Sequence, residues 1–203
     1  MSIFRAYDIR GIYGKDLTEE IMTRIGEAAG TLCPGTFTIG RDFREHGAQL
    51  ETAFVSGLKK TGSNANLVGT CPASLCVFAN WKMKNNATAY ITASHLPAEW
   101  NGVKFFHQDG VGFFEDENKK LGEISASEKF KTGTGTAKKL EGMDTEYANF
   151  VAEKIKPEKI SVVADFGNGY RKYSRKSVSK PLSCSIGPTQ SSRTETPNRN
   201  QKH

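Results

Sequence analysis

Apolar residues recur at helical spacing in two early stretches of the chain. In the first, Ile21, Met22, Ile25, Ala28 and Ala29 share one face behind Thr18-Glu19-Glu20. Thr18 or Asp16 can cap its first turn, and Gly30 offers a stop. The second covers about 47–60, with Leu50, Ala53, Phe54 and Leu58 on one side and Gly62 at its end. Short runs of strand-forming residues alternate with these helices: Phe37-Thr38-Ile39, Asn66-Leu67-Val68-Gly69, Ala89-Tyr90-Ile91-Thr92 and Val103-Lys104-Phe105-Phe106. Further helices are expected over about 73–81, after Pro72, and over 145–155, stopped before Pro157. Charged helical stretches surround 115–120 and 123–130, and the Gly- and Thr-rich segment 131–139 reads as a loop. Gly11 and Gly14 lie close enough together to suggest a loop, and Asn101-Gly102 is the strongest hairpin signal in the chain. Residues 160–165 predict one more buried strand. Alternation on this scale predicts α/β layers.

Composition narrows the class. The chain has 203 residues, 37% hydrophobic and 25% charged, which suits a folded soluble protein of one large domain or one domain and part of another. Its apolar runs fall far short of the ~20 residues a membrane span needs, so no membrane partner is expected. The N-terminus carries an early Asp8 and no apolar signal region, which points to a cytoplasmic protein. Cys33, Cys71, Cys76 and Cys184 form no Cys-x-x-Cys and have no histidine at zinc spacing, so they read as reduced thiols.

The net charge of +6 invites a nucleic-acid reading, but its distribution opposes it. Residues 1–169 hold 20 Lys and Arg against 21 Asp and Glu. Residues 170–203 hold 8 basic residues and only Glu195. The basic character belongs to the tail, and a body without basic excess leaves no footprint for a phosphate backbone.

Candidate chemistry gathers after the strand ending at Thr92. Ser94 follows that strand directly, beside His95, where the strand ends of an α/β sheet open onto a ligand crevice. Taken singly, each residue has a plainer reading. Ser94 would be a turn serine, His95 a structural histidine, Lys104 a solvated strand lysine and Arg10 a member of an ion pair. Taken together they form one pattern: Thr92-Ala93-Ser94-His95-x-Pro97, then Asn101-Gly102-x-Lys104.

That pattern resembles the phosphoserine motif of the α-D-phosphohexomutase superfamily, which includes phosphomannomutase and phosphoglucomutase. Four other segments are similar to the family in the same order. They are Phe4-Arg5-Ala6-Tyr7-Asp8-Ile9-Arg10-Gly11, Gly40-Arg41-Asp42-x-Arg44, Gly69-Thr70-Cys71-Pro72 and Val163-Ala164-Asp165-x-Gly167-Asn168-Gly169. The resemblance implies a layered α/β/α domain with a mixed sheet over 1–157 and the start of a second domain over 158–169. It also implies an intramolecular phosphotransferase that interconverts hexose 1-phosphate and hexose 6-phosphate through a bisphosphorylated sugar. Ser94 would carry the phosphoryl group and give one oxygen to a Mg2+ ion. His95 and Lys104 would move a proton or stabilise the transferred group, and Arg10 would pair with phosphoryl oxygens. Tyr7, Arg10, Asn101 and Gly102 would contact the hexose phosphate.

Two departures qualify this. Leu96 stands where the family usually has Asn. After Gly169 the family continues through its metal-holding Asp-Gly-Asp-x-Asp-Arg loop and two further domains, and no such run occurs here. Residues 170–203 instead read as an aberrant, disordered basic tail. A family-like Thr-Gly-Ser-Ile-Val-Ala-Lys, read one frame out, can be encoded to give Tyr170-Arg171-Lys172-Tyr173-Ser174-Arg175-Lys176, so a frameshift is expected. The resulting reading is a mutase fragment inactive alone, with a non-catalytic sugar-phosphate-binding fragment or a broken gene product as the alternative.

Overall fold

A computed structural model describes residues 3–155 of the chain. The expectations for the second domain, the strand at 160–165, the tail and Cys184 lie outside these residues.

Six strands form one mixed sheet: β1 (Ile9–Ile12), β2 (Thr36–Arg41), β3 (Asn64–Thr70), β4 (Ala87–Ile91), β5 (Trp100–His107) and β6 (Ala137–Lys139). Their spatial order is β1-β5-β4-β2-β3-β6. The β4-β2-β3-β6 half is parallel, whereas β5 runs antiparallel to both β1 and β4. Helices α1 (Glu19–Leu32), α2 (Gly47–Lys60) and α4 (Glu115–Ser127) share one hydrophobic core with the sheet, in which Phe37, Phe54 and Phe105 are fully buried. Helices α3 (Ala73–Met83) and α5 (Met143–Lys154) close a second core around Cys71, Leu75, Cys76 and Tyr90. The expected layered α/β/α domain with a mixed sheet is therefore the observed fold.

Local signals account for most boundaries. The Thr18 hydroxyl caps α1 by accepting from the Ile21 N–H at 3.3 Å, with Glu19 and Glu20 favouring the positive end of the helix dipole. Thr18→Ala should lower stability by about 1 kcal/mol, a loss readable as a shifted urea midpoint with unchanged slope. Helix α2 spans the range its periodicity predicts.

Several expectations need correction. Gly30 does not stop α1, which continues to Leu32. It is buried against Thr61, Leu58 and Ser63, where a methyl group would collide, so its role is packing. The two charged stretches are one helix, α4, whose first turn is fixed by Glu117 accepting from the Phe114 N–H at 3.0 Å. Segment 131–139 contributes the short edge strand β6. Gly11 lies inside β1, and Asn101-Gly102 lies inside β5 instead of forming a turn. Asn101 faces Gly11 and Gly102 faces Arg10 across that pairing. The connection between β4 and β5 is the Ser94 loop itself.

Candidate active site

Parallel strands β2 and β4 lie side by side, so the segments leaving their C-terminal ends meet. Asp42 follows β2, and Thr92 to Glu99 follow β4. Between them lies a cleft of about 1080 Å³, lined among others by Arg10, Asp42, Arg44, His46, Ser94, His95, Leu96 and Lys104. A hollow of similar size between α3 and α5 is lined by Phe78, Trp81 and Phe150 and holds none of the expected nucleophile loop.

Ser94 is exposed at φ 57°, a left-handed conformation that non-glycine residues seldom hold. Three contacts hold it there. Its N–H donates to Thr92 Oγ1 at 2.9 Å, and that hydroxyl donates to Asp42 Oδ2 at 2.7 Å. Its carbonyl accepts from Arg44 Nη2 at 3.0 Å. The Ser94 hydroxyl lies 3.4 Å from His95 Nδ1, close enough for proton exchange after a small adjustment.

Arg10 and Lys104 enter from the neighbouring strands. Arg10 pairs with Gly102, and Lys104 with Tyr90. Because side chains alternate along a strand, Gly102 and Lys104 share a face of β5, and Asn101 and Val103 take the other. Arg10 is held by Asp8 at 2.7 Å, with both side chains largely buried. The Lys104 ammonium sits 5.5 Å from the Phe106 ring centroid. The Tyr90 hydroxyl is spent, donating to the Cys71 carbonyl at 2.6 Å.

Four of the seven expected site residues thus line one cleft: Arg10, Ser94, His95 and Lys104. The other three sit apart from its lining. Tyr7 is 62% exposed, outside the cleft. Asn101 is fully buried, its Oδ1 accepting from the Gly102 N–H at 2.9 Å and its Nδ2 without a partner among the described residues. Gly102 contributes through its lack of a side chain. Asp42 and Arg44 also line the cleft, although the sequence marks only their turn, Gly40-Arg41-Asp42-x-Arg44, and no role for either side chain. The signal was an Asp-x-Arg directly after a parallel strand. Leu96 places an apolar side chain in the lining where the family resemblance expects an amide.

The residues present do not fit a magnesium site by themselves. Ser94 Oγ could supply one oxygen, but among the described residues no three His, Cys, Asp or Glu side chains cluster to hold a metal ion. Both Asp42 oxygens are already engaged, Oδ1 by the Arg44 N–H and Oδ2 by Thr92.

Cys71, just before α3, and Cys76, within it, are buried free thiols, and burial pushes the Cys76 thiol well up from its ordinary range. They behave as packing residues, with Cys33 also free.

Comparison with known proteins bears on the same region. The model of the family "Phosphoglucomutase/phosphomannomutase, alpha/beta/alpha domain I" matches residues 1–132. A Thermococcus kodakarensis protein named "Probable phosphoglucosamine mutase" is 34% identical over 172 residues, covering 82% of this chain and 38% of the relative. A Pseudomonas putida phosphomannomutase/phosphoglucomutase is 30% identical over 191 residues, covering 92% of this chain and 41% of the relative. The crystal structure of a phosphoglucomutase/phosphomannomutase family protein from Burkholderia thailandensis superposes with a TM-score of 0.70. It is 27% identical and covers 77% of this chain and 36% of that one. An α/β/α domain is the class these matches share. The chain belongs to the phosphoglucomutase/phosphomannomutase family, and its residues 1–132 match that family's first domain. It spans about two fifths of the length of the curated relatives it matches.

Proposed function

We propose that this chain supplies the phosphoryl-carrying domain of a hexose-phosphate mutase, with Ser94 as the nucleophile. The observation that carries the reading is the placement of Ser94. It stands exposed at the head of a strained loop, in one cleft with His95, Arg10 and Lys104.

The chemistry follows from those groups. Ser94 Oγ attacks the phosphorus of one phosphate on a bisphosphorylated hexose, and the phosphorus–oxygen bond to the sugar breaks. The serine proton passes to His95 Nδ1, from which the departing sugar oxygen takes it up. In the opposite direction the phosphoserine gives its phosphoryl group to a free hydroxyl of a hexose monophosphate. If the sugar turns over between the two transfers, its phosphate changes position. Arg10 and Lys104 supply positive charge to the equatorial oxygens during transfer. The relatives' names point to glucose, mannose or glucosamine phosphates as the substrate class. Mg2+ belongs to this proposal as an ion whose remaining ligands come from outside residues 3–155. A cytoplasmic site suits such substrates, and no described helix is long and apolar enough to cross a membrane.

Because the described residues complete neither a metal cage nor an enclosed sugar site, the 203-residue chain alone should show no mutase turnover. Replacing the matching segment of the Pseudomonas putida relative with residues 3–155 should give an enzyme that converts glucose 1-phosphate to glucose 6-phosphate. A folded graft without turnover would favour the alternative, a non-catalytic sugar-phosphate-binding fragment.

A further inference from the structure

Arg44 lines the cleft, yet its guanidinium has nothing left to offer a ligand. A guanidinium carries five N–H donors in a fixed plane. Here Nη1 donates to the Pro97 carbonyl at 2.6 Å and the Trp100 carbonyl at 2.9 Å. Nη2 donates to the Leu96 carbonyl at 2.6 Å and the Ser94 carbonyl at 3.0 Å. Nε donates to Asp42 Oδ2 at 3.3 Å. All five donors are therefore engaged, and the side chain is only 10% exposed.

We propose that Arg44 is the positioning residue of the Ser94 loop. It fixes the left-handed serine by gathering four loop carbonyls onto one buried cation. This deepens the phosphoryl-carrier reading and rests on it for its purpose, though not for its test.

The physical case has three parts. First, the loop's own backbone bonds are few: Leu96 N–H to Ala93 and Trp100 N–H to Pro97, both at 3.1 Å. A loop with so little internal bonding does not hold a strained φ at Ser94 unaided. Second, the carbonyls of residues 94, 96, 97 and 100 span the whole connection from β4 to β5, so one rigid group ties its start to its end. Third, the direction of the dipoles matters. No peptide in the described chain is cis, so each N–H points opposite its own carbonyl. Drawing the Ser94 and Pro97 carbonyls toward Arg44 turns the N–H groups of His95 and Ala98 away from it. The negative ends of these dipoles are thereby gathered on a cation and kept from a phosphoryl group on Ser94. Asp42 completes the device. It fixes the Arg44 backbone through Oδ1 at 3.0 Å and joins Nε and Thr92 Oγ1 through Oδ2, which links Arg44 back to the Ser94 N–H.

The test is residue-resolved amide exchange in the 203-residue chain carrying Arg44→Ala or Arg44→Lys. A lysine keeps the charge and the aliphatic stem but cannot present the planar fork. Exchange at Ser94, Leu96 and Trp100 should rise by about tenfold or more in both variants. The central amides of β2 and β4 should keep wild-type rates. Adding methylguanidinium to Arg44→Ala should restore protection to the loop alone. Wild-type protection in Arg44→Lys would overturn the proposal, since charge would then suffice. An equal loosening of loop and sheet would also overturn it, since Arg44 would then be a general stabiliser. Arg44→Lys decides the matter if Arg44→Ala does not fold. No readout depends on turnover, so a chain that never accepts a phosphoryl group would defeat the functional reading and leave this one standing.

Discussion

In a graft carrying residues 3–155 within the Pseudomonas putida relative, Ser94→Ala should cut mutase turnover by about a thousandfold or more. The loss should fall on kcat, because in the proposed reaction the hydroxyl oxygen forms the new bond to phosphorus. Arg10 and Lys104, the proposed phosphate-binding groups, stay in place, so KM should change little. Ser94→Gly separates chemistry from strain. It removes the same nucleophile but relieves the left-handed conformation at φ 57°. The glycine variant should therefore be as inactive as the alanine variant yet more stable than it by about 1 kcal/mol. Comparing the urea midpoints of the two variants checks this. Equal stability would mean that the loop imposes no strain on Ser94.

The second large effect is expected at Gly102. A Cβ there would fall on the Ile9 carbonyl oxygen and within 3.1 Å of the Arg10 Cα, all backbone atoms that cannot swing aside. Gly102→Val should therefore push β1 away from β5, with a stability loss of about 3 kcal/mol. Arg10 rides on β1, so the displaced strand also takes its guanidinium from the cleft. A denaturant titration would report the first effect. A raised KM for glucose 1-phosphate in the graft would report the second. A fully stable Gly102→Val chain would show that β1 yields easily, and that Arg10 is not fixed by its pairing.

How far the sequence revealed this arrangement varies by element. Helix α2 was legible because its apolar face repeats cleanly and its ends carry their own signals. The Ser94 loop was legible because a strand runs straight into a pattern specific to one family. Asn101-Gly102 misled for a physical reason. The same dipeptide that suits a tight turn also suits a strand where a neighbouring backbone approaches too closely for a side chain. Gly30 misled similarly, since a glycine near a helix end serves packing as readily as capping. Arg44 could not be assigned from the chain, because its four acceptors are backbone carbonyls and lie about fifty residues away. A carbonyl acceptor leaves no mark on residue identity. The orientations of Asn101 and Lys104 followed from strand alternation once β5 was known to begin at Trp100, which the hairpin reading had obscured.

The claim at the centre of this account is that Ser94 carries the phosphoryl group. Its most direct measurement is to mix the graft with glucose 1,6-bisphosphate labelled in its phosphates, quench in acid within the first turnovers and map the labelled peptide. The account predicts label on Ser94, lost when unlabelled glucose 6-phosphate is added before the quench and absent from Ser94→Ala. Turnover with no label on Ser94, or label that stays through the chase, would contradict it.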